Sequence, residues 1–599
     1  MPASPASDDA ATQPAKGEGR RTLLLGLLGS LLCYLAHPPA SLGWLAWIGP
    51  VPWLLLARMP RMPGRRPYLL VWLAGAAYWG ATIQWIRLPH WANIFGLFFL
   101  AAYLGAYLPV FVGLTRIATH RLRVPLWLAA PIAWTGLEWI RARLLTGFLM
   151  GSLAHTQIEY PHVIQIADVF GEYGVTFLII LVAAALAEPL PASIVNTIAA
   201  PASGRGPAST PQDATESQTH PRPEAGAAMK WRPIAVAAIA LAATLAYGRS
   251  RLSDAANPST PPSAVTVALI QSDMLADWKG TTARDVAVMK QMTQLSREAV
   301  RESRQPIDLV VWPETMFRAT LHMAEDGYLP PREMFPDGIE ETFAATTNYL
   351  ASLARDLNAA VLVGIDRVLW SKPAADAEPL VPGVPPFAEE SFNSSVCVDR
   401  TGRIVNTYDK MHLLPFGEYT PLARWIPFFS SISPITGHAS PGKGASAMVV
   451  DGVSYVPNIC YETVLPHLIR RQIAELVQRG EHPDVMVNLT NDAWYWGSSE
   501  LDMHLASGVF RAVEMRLSLV VAANRGLTAH VDHCGRIVAM TERNVPAKLV
   551  TTVALPEYPS RAYPSLFAAY GDWFALVCLL CCTVPAAVAW RDRRTPQRE

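Results

Sequence analysis

Residues 22–57 read TLLLGLLGSLLCYLAHPPASLGWLAWIGPVPWLLLA and contain no Asp, Glu, Lys or Arg. An α-helix needs roughly 20 apolar residues to cross the hydrocarbon core of a bilayer, and this run is long enough for two crossings. The Pro38–Pro39 pair interrupts it, because proline cannot continue a helix. The stretch therefore predicts two membrane helices, about 22–37 and 42–57, joined by a tight turn.

Further apolar runs with few charges extend this pattern along the chain. We predict eight membrane spans, at about 22–37, 42–57, 68–86, 93–115, 124–140, 168–187, 232–248 and 570–590. With the N-terminus inside, arginines at 58–66, 116–123 and 591–594 fall on the cytoplasmic side, as positive residues usually do. The arginines at positions 87, 141, 143, 249 and 251 are exceptions. An even number of spans fits best, with the first one retained as an anchor.

The composition also indicates a membrane protein. The chain has 599 residues, and charged residues make up 16% of them, against roughly 25% in an average soluble protein. Lys and Arg number 49, as do Asp and Glu, so there is no basic excess of the kind that nucleic-acid binding requires. Seven cysteines without disulfide-like spacing exclude a disulfide scaffold.

The chain divides into membrane segments and one large region whose apolar runs are shorter. Residues 189–231 are rich in Pro, Ala, Ser and Thr and predict a disordered linker. The predicted order is a cytoplasmic tail at 1–21, six membrane helices at 22–188, the cytoplasmic linker at 189–231, a seventh helix at 232–250, a catalytic domain at 263–555, an eighth helix at 566–590 and a cytoplasmic tail at 591–599.

Between 263 and 555 the apolar runs become short, as in buried strands. Such runs lie at 265–270, 309–312, 361–365, 449–456, 485–489 and 519–523. Helical patterns lie between some of them, including an amphipathic stripe at 286–299 and a candidate at 499–516. Asp399–Arg403 is predicted to join two strands as a hairpin. The region therefore predicts an α/β domain of nearly 300 residues.

Three segments of this domain end a strand-like run with reactive side chains. They are VVWPE at 310–314, YDKMHLLPFGEY at 408–419 and NICYE at 458–462. Sites in open α/β sheets form beyond the carboxyl ends of the strands, so Glu314, Lys410 and Cys460 are expected to converge.

These residue types suit nucleophilic catalysis on an acyl group. A thiol with a pKa near ~8.5 needs a base to become a nucleophile, and Glu314 can serve as that base. The ammonium of Lys410 and the backbone N–H after Cys460 can stabilise the oxyanion that forms during attack. The expected product is a thioester on Cys460.

The three segments, in this order, resemble the Glu-Lys-Cys triad of the nitrilase superfamily. The flanking helices, Trp278, the PFGEY run and NDAW at 491–494 resemble the bacterial apolipoprotein N-acyltransferase family more specifically. So do TGF at 146–148, QIADVFG at 165–171 and YGV at 173–175. Two features depart from the family: Leu149-Met150 stands where a Pro-Trp pair is usual, and a Pro-rich insertion occupies 373–387.

The resemblance implies a polytopic α-helical membrane bundle of about eight spans and a nitrilase-like α-β-β-α sandwich on the periplasmic side of the inner membrane. It implies transfer of an acyl chain from a phospholipid, chiefly phosphatidylethanolamine, to the α-amino group of a diacylglyceryl-cysteine on an apolipoprotein. Cys460 would be the nucleophile, Glu314 the base and acid, and Lys410 the oxyanion stabiliser. A monomer without a cofactor is expected.

Further residues receive supporting roles. The resemblance implies that Glu418 orients the lysine or the incoming amine and that Tyr461 and Glu462 flank the nucleophile. The expected substrate-binding residues are Trp278, Asn491, Trp494 and Arg87. Arg87 is included because charge beside a membrane span is costly and often functional.

Other functions fit the sequence less well. A metal site is not expected, because no histidine spacing such as HExxH occurs, and no GxSxG elbow points to a serine hydrolase. The main alternative is a membrane-tethered nitrilase-type amidase that hydrolyses a small amide. A third, a transporter with an inert domain, would place polar residues throughout the spans, yet 22–57 and 88–115 are nearly free of them.

Overall fold

A computed structural model describes residues 18–191, 225–256, 263–276, 280–374, 376, 384–420, 439–556 and 565–594. Most of the predicted linker 189–231 and about half of the insertion 373–387 lie outside these ranges. Trp278 lies outside them altogether.

The membrane half consists of helices of very different length. Their bounds are Glu18–Ala36, Val51–Arg58, Pro67–Thr82, Asn93–Gly105, Tyr107–His120, Leu126–Arg141, Pro161–Ile164, Ala167–Phe170, Glu172–Ala187, Ala225–Ala256, Leu566–Tyr570 and Trp573–Arg594. Among the described residues, four helices are long and apolar enough to cross a membrane: Gly19–Ala36, Asn93–His120, Trp231–Ala255 and Trp573–Asp592. The eight predicted spans are thus not confirmed by length and composition.

The second predicted span, 42–57, is not one helix. It forms a 3₁₀ helix at Gly43–Trp47 and an α-helix of 8 residues at Val51–Arg58. The break falls at Gly49 and Pro50. Trp53, Leu54 and Leu56 are almost completely buried among the other helices. A broken backbone is tolerated at membrane depth where protein, rather than lipid, surrounds it.

The sixth predicted span, 168–187, is bent rather than continuous. The helical segments Pro161–Phe170 and Glu172–Ala187 meet at an angle of 119°. Gly171 makes the turn with a φ of +67°, and a Cβ atom there would lie 2.6 Å from the ring of Phe567. Only glycine meets both requirements, a left-handed backbone and a close ring contact.

The described strands of the catalytic domain form two sheets. Their bounds are Ala264–Gln271 (β1), Leu309–Val311 (β2), Phe317–Ala324 (β3), Ala360–Ser371 (β4), Ala388–Val398 (β5), Ile404–Asp409 (β6), Met448–Val450 (β7), Val453–Ile459 (β8), Val485–Asn491 (β9), Ser518–Asn524 (β10), Ala529–Val531 (β11), Ile537–Met540 (β12) and Ala547–Ala554 (β13). One sheet has the order β13-β1-β2-β4-β5-β6, with β3 also paired to β4, and the other has the order β12-β11-β10-β9-β8-β7.

Strands β1, β2 and β4 are parallel, as are β8, β9 and β10. The predicted hairpin at Asp399–Arg403 joins the antiparallel strands β5 and β6. The run 449–456 differs from the prediction, because the turn at Asp451-Gly452 divides it between β7 and β8.

Helices cover the outer faces of both sheets. An apolar core between the sheets includes Val267, Leu309 and Leu362 from one sheet and Ile459 and Val487 from the other. Helices Thr282–Glu302 and Ile339–Leu357 cover the first sheet, and helices Pro466–Gln478 and Glu500–Met515 cover the second. The layers form an α-β-β-α sandwich, and the outer layer on the second sheet shares one apolar core with the membrane helices.

Buried ion pairs also join the two halves. The carboxylate of Asp168 accepts hydrogen bonds from Arg516 at 2.6 and 3.0 Å and from the Tyr247 hydroxyl at 2.9 Å, and lies 3.1 Å from Nε of Arg251. Nearby, Arg511 lies 3.3 Å from the carboxylate of Glu172. Helix Glu500–Met515 and the loop after it are thereby fixed to the bent membrane segment.

Candidate active site

Three strand ends bring the predicted triad to one edge of the sandwich. Glu314 follows β2, Lys410 follows β6 and Cys460 follows β8. Strand β6 is antiparallel to β5, and β5 is antiparallel to β4, so β6 runs in the same direction as β2 and β4. The carboxyl ends of β2 and β6 therefore lie at the same edge of their sheet. Cys460 follows β8 of the other sheet, and the charges of Glu314 and Lys410 act on its thiol.

Lys410 lies between two carboxylates. Its Nζ is 3.2 Å from Oε1 of Glu314 and 2.9 Å from Oε2 of Glu418. Asn393, on β5, donates from Nδ2 to both carboxylates, at 2.8 Å for Glu314 and 2.7 Å for Glu418. The second oxygen of Glu314 accepts the backbone N–H of Asn491 at 3.0 Å. The Glu314 carboxylate is thus fixed in orientation by three donors.

The environment of Lys410 keeps it charged. Its side chain is 2% exposed, and burial alone would lower its pKa. The carboxylates of Glu314 and Glu418 outweigh that effect and raise the pKa well above its usual value. An ammonium ion next to Cys460 could stabilise an oxyanion without a proton transfer.

Cys460 is placed by a sharp change of backbone direction. It begins the 3₁₀ helix Cys460–Val464 directly after β8, with a φ of +52°. Left-handed backbone at a residue other than glycine is uncommon and clusters at functional sites. Burial and the charge of Glu314 raise the pKa of the Cys460 thiol well above its usual value, although Lys410 lowers it. The resting thiol is therefore protonated and needs a base.

Glu462 connects the segment that contains Lys410 to the turn that begins at Cys460. Its Oε1 accepts the backbone N–H groups of Met411 at 2.7 Å and His412 at 3.1 Å. Its Oε2 accepts the backbone N–H of Ile459 and the hydroxyl of Tyr408, both at 2.8 Å. The side chain is fully buried. Glu462 therefore positions both segments, which is more than the flanking place that the sequence assigns to it.

Tyr461 links the turn to the membrane half. Its hydroxyl donates to the carbonyl oxygen of Gly147 at 3.0 Å, and its ring stacks on His412 with the centroids 6.2 Å apart. Gly147 belongs to the TGF segment at 146–148, which follows helix Leu126–Arg141. Tyr461, directly after Cys460, thus contacts the loop at the end of a membrane helix.

The predicted substrate-binding residues lie in different places. Asn491 is buried beside Glu314, and its Oδ1 accepts from Asn524 at 2.8 Å. Trp494 is half-buried in the 3₁₀ helix Asp492–Tyr495. Arg87 is exposed and hydrogen-bonds Gln84. Trp85, two residues before Arg87, contacts Tyr495 with ring centroids 5.2 Å apart, so Arg87 and Trp494 lie on adjoining segments.

A buried acidic pair and a histidine lie behind the nucleophile turn. Asp492, Glu500 and His504 have ligand atoms that all lie within 4.8 Å of one another, a spacing that a metal ion could use. However, Nδ1 of His504 is 3.4 Å from Asp492 and its Nε2 is 3.0 Å from the carbonyl oxygen of Cys460. Because both ring nitrogens already have acceptors, we interpret the group as an ion pair.

Sequence reasoning missed three residues of this site. Asn393 bridges the two carboxylates, His504 contacts the nucleophile's carbonyl, and Gly364 on β4 leaves room for Glu314. A Cβ atom at Gly364 would lie 2.5 Å from the Pro313 carbonyl oxygen and 2.6 Å from Cα of Glu314. A glycine inside a strand signals close backbone approach, but the sequence does not say to which segment.

Comparison with known proteins gives matches over both halves of the chain. Residues 29–185 match the apolipoprotein N-acyltransferase N-terminal domain, and residues 266–560 match the carbon-nitrogen hydrolase family. An apolipoprotein N-acyltransferase of Geobacter metallireducens is 31% identical over 96% of this chain and 96% of its own length. Another, of Rhodopirellula baltica, is 29% identical over 91% of this chain and 93% of its own length.

Proposed function

This chain belongs to the apolipoprotein N-acyltransferase family and N-acylates lipoproteins, and from that premise we propose that Cys460 carries the acyl group between two substrates. The observation that carries this proposal is the meeting of three strand ends, where Lys410 contacts Glu314 beside the turn that begins at Cys460. We further propose that the donor is a membrane phospholipid, chiefly phosphatidylethanolamine, and that the enzyme works as a monomer.

In the first half-reaction the thiol proton of Cys460 passes to the carboxylate of Glu314 while sulfur attacks the ester carbonyl of the phospholipid. A carbon–sulfur bond forms, and the carbonyl electrons move to oxygen, where the ammonium of Lys410 stabilises them. When this intermediate collapses, the ester carbon–oxygen bond breaks and the Glu314 proton passes to the leaving oxygen. Lysophospholipid departs and a thioester remains.

In the second half-reaction the α-amino group of the lipoprotein cysteine attacks the thioester carbonyl. A carbon–nitrogen bond forms, the amine proton passes to Glu314, and the carbon–sulfur bond breaks. The thiolate then takes the proton from Glu314, which restores the resting site. Because one product leaves before the second substrate reacts, ping-pong kinetics are expected.

The test is to incubate the protein with labelled phosphatidylethanolamine and locate the label by mass spectrometry. We expect a thioester on Cys460 in the native protein, none in Cys460→Ala, and the native amount in Cys397→Ala, which removes a buried thiol between the sheets. An acyl chain that remains attached elsewhere in Cys460→Ala would refute the assignment.

A small-amide amidase is the less favoured function. The match of residues 29–185 to the N-terminal domain of apolipoprotein N-acyltransferases gives the membrane half a role that hydrolysis of a small amide does not need. A diacylated lipopeptide added to the labelled lipid separates the two functions. Label that moves to the peptide amine excludes an enzyme that only hydrolyses amides.

We also propose eight crossings of the inner membrane, with the catalytic domain in the periplasm. Support comes from side chains that mark the two ends of the bundle. Away from the catalytic domain, Arg58 donates to carbonyl oxygens of Ala187 and Leu190, and Arg116 donates to that of Leu56. Arg58 ends helix Val51–Arg58 and Arg116 lies in the C-terminal half of helix Tyr107–His120, next to the loops that the sequence predicts to be cytoplasmic.

The contacts at the two ends of the broken segment 43–58 support a crossing there. At the catalytic end, Gln157 donates to the carbonyl oxygen of Gly43 at 2.9 Å, and Arg58 lies at the opposite end. A cysteine added at either of two exposed positions, with the native protein as the background, tests the orientation. In spheroplasts, Ser352→Cys should react with an impermeant maleimide, and Arg65→Cys should react only after lysis. The reverse pattern would overturn the orientation.

A further inference from the structure

Two buried side chains hold the carbonyl oxygen of Cys460. Nε2 of His504 is 3.0 Å from this oxygen. Nδ2 of Asn488 is 3.3 Å from it and makes shorter hydrogen bonds to Asn458 and Thr463. His504 is 5% exposed and Asn488 is 1% exposed. Neither residue is part of the triad, yet both contact the peptide group that joins the nucleophile to Tyr461.

The position of that oxygen determines the direction of the N–H group of Tyr461, on the other side of the same peptide group. A trans peptide group is planar, so the N–H of Tyr461 points away from the carbonyl of Cys460. This N–H lies in the first turn of the helix Cys460–Val464, where N–H groups have no acceptor within the helix. The φ of +52° at Cys460 is a conformation that surrounding contacts must maintain.

The charges around His504 favour its doubly protonated form, in which both ring nitrogens are hydrogen-bond donors. Burial alone would lower the pKa of His504, but the contact with Asp492 and the charges of Asp492 and Glu500 raise it to about 9. Asp492 faces the ring from the helix Asp492–Tyr495, and Glu500 lies on the same helix as His504. An imidazolium ion donates from Nδ1 and Nε2 together, and hydrogen bonds from a charged donor are the stronger ones.

We propose that His504 is a positioning residue for acyl transfer: by holding the Cys460 carbonyl, it aims the Tyr461 N–H at the oxyanion. This inference rests on the proposed function, because the oxyanion forms only when Cys460 attacks an acyl carbonyl. His504 itself touches no reacting atom. Its contribution is to keep a second oxyanion donor in place beside the ammonium of Lys410.

Two reactions of the same thiol separate this role from a general structural one. Acylation by a phospholipid passes through an oxyanion, whereas alkylation by iodoacetamide displaces iodide at a saturated carbon and forms none. In detergent-solubilised His504→Leu we expect single-turnover acylation to fall roughly 10²-fold, the size of the loss of one oxyanion donor. Alkylation of Cys460 should stay within about threefold of the native rate.

Three further variants complete the experiment. His504→Gln keeps an N–H donor and should recover most of the acylation rate. His530→Leu removes another buried histidine, whose Nδ1 contacts Thr551, and should acylate at the native rate. Asn488→Ala removes the second donor and should give the same split between acylation and alkylation, which keeps the proposal testable if His504→Leu does not fold.

The outcomes are distinct. Native acylation in folded His504→Leu and Asn488→Ala overturns the inference. An equal fall of acylation and alkylation also overturns it, because His504 would then act on the thiol. Absence of a Cys460 thioester in the native protein is a failure of the proposed function instead.

Discussion

At the scale of single residues, the site depends on charged groups that are buried but fully paired. Lys410 has two carboxylate partners, Glu314 has three donors, and Glu462 accepts four hydrogen bonds. A buried ionised group is costly unless its hydrogen bonds are complete. Removing one partner therefore leaves another buried charged group incompletely paired, and the free-energy cost of burying that group is no longer offset.

Glu462 offers the first test of this idea. In Glu462→Gln an amide NH₂ replaces one oxygen and meets either two backbone donors or the donors of Ile459 and Tyr408. We expect a loss of about 1–3 kcal/mol in the free energy of unfolding and at least a tenfold slower thioester formation. Thermal melting and single-turnover acylation measure the two effects.

The matched control is Glu475→Gln, on helix Pro466–Gln478, where the carboxylate is only partly buried and pairs with Arg471. It should leave the acylation rate unchanged. Native acylation in Glu462→Gln would show that this carboxylate does not position the site.

The pH dependence of stability tests His504. Its pKa is about 9 in the folded protein and near 6.5 when unfolded. A raised folded-state pKa stabilises the fold fully below pH ~6.5, and this contribution is lost as the pH rises to about 9. Melting should show a loss of at most about 3 kcal/mol over this range in the native protein. A native-like loss in His504→Gln would contradict the assignment to His504.

At the scale of elements, close approach between a strand and a turn positions Glu314, the proposed base. Strand β4 passes directly behind the Pro313-Glu314 turn at Gly364, where a side chain would collide with backbone atoms. Glycine in a strand otherwise weakens it, so its presence has a packing reason here.

Gly364→Ala should therefore move Glu314 away from Cys460. Because misplacement by about 1 Å can cost roughly 10²-fold in rate, we expect a loss of that order in thioester formation. Gly96→Ala, where the new Cβ would meet nothing within 4 Å, is the control and should be native-like. An unchanged rate in Gly364→Ala would mean that the turn adjusts without disturbing the base.

At the scale of the whole molecule, buried ion pairs connect the membrane helices with the catalytic sandwich. Asp168 contacts Arg516 of the sandwich and Arg251 and Tyr247 of helix Ala225–Ala256. Asp168→Asn leaves two arginines without their counter-charge, so we expect a loss of roughly 3–5 kcal/mol in stability. Thermal melting in detergent measures it.

The control for that prediction is an exposed ion pair of similar geometry. Arg297 and Asp356 are 2.7 Å apart, with side chains 62% and 44% exposed. Asp356→Asn should change stability by less than about 0.5 kcal/mol. Equal melting of Asp168→Asn and the native protein would exclude a role for Asp168 in joining the halves.

The sequence by itself determined the two kinds of architecture and led to the proposed triad. Charge-free runs predict membrane segments because lipid excludes charge. Glu314, Lys410 and Cys460 each follow a short apolar run, and they are candidates because sites form beyond the ends of strands. The strand runs and the hairpin at Asp399–Arg403 could be predicted for the same reason: they depend on local patterns.

Only the tertiary structure decided which residues complete the site. Asn393, Gly364 and His504 act through contacts with segments 79, 50 and 44 residues away along the chain, and no local pattern encodes such contacts. The broken helix at 42–57 and the bend at Gly171 also depend on the tertiary structure. At both places the interrupted backbone is buried among other helices, and surrounding protein tolerates an interruption that lipid would not.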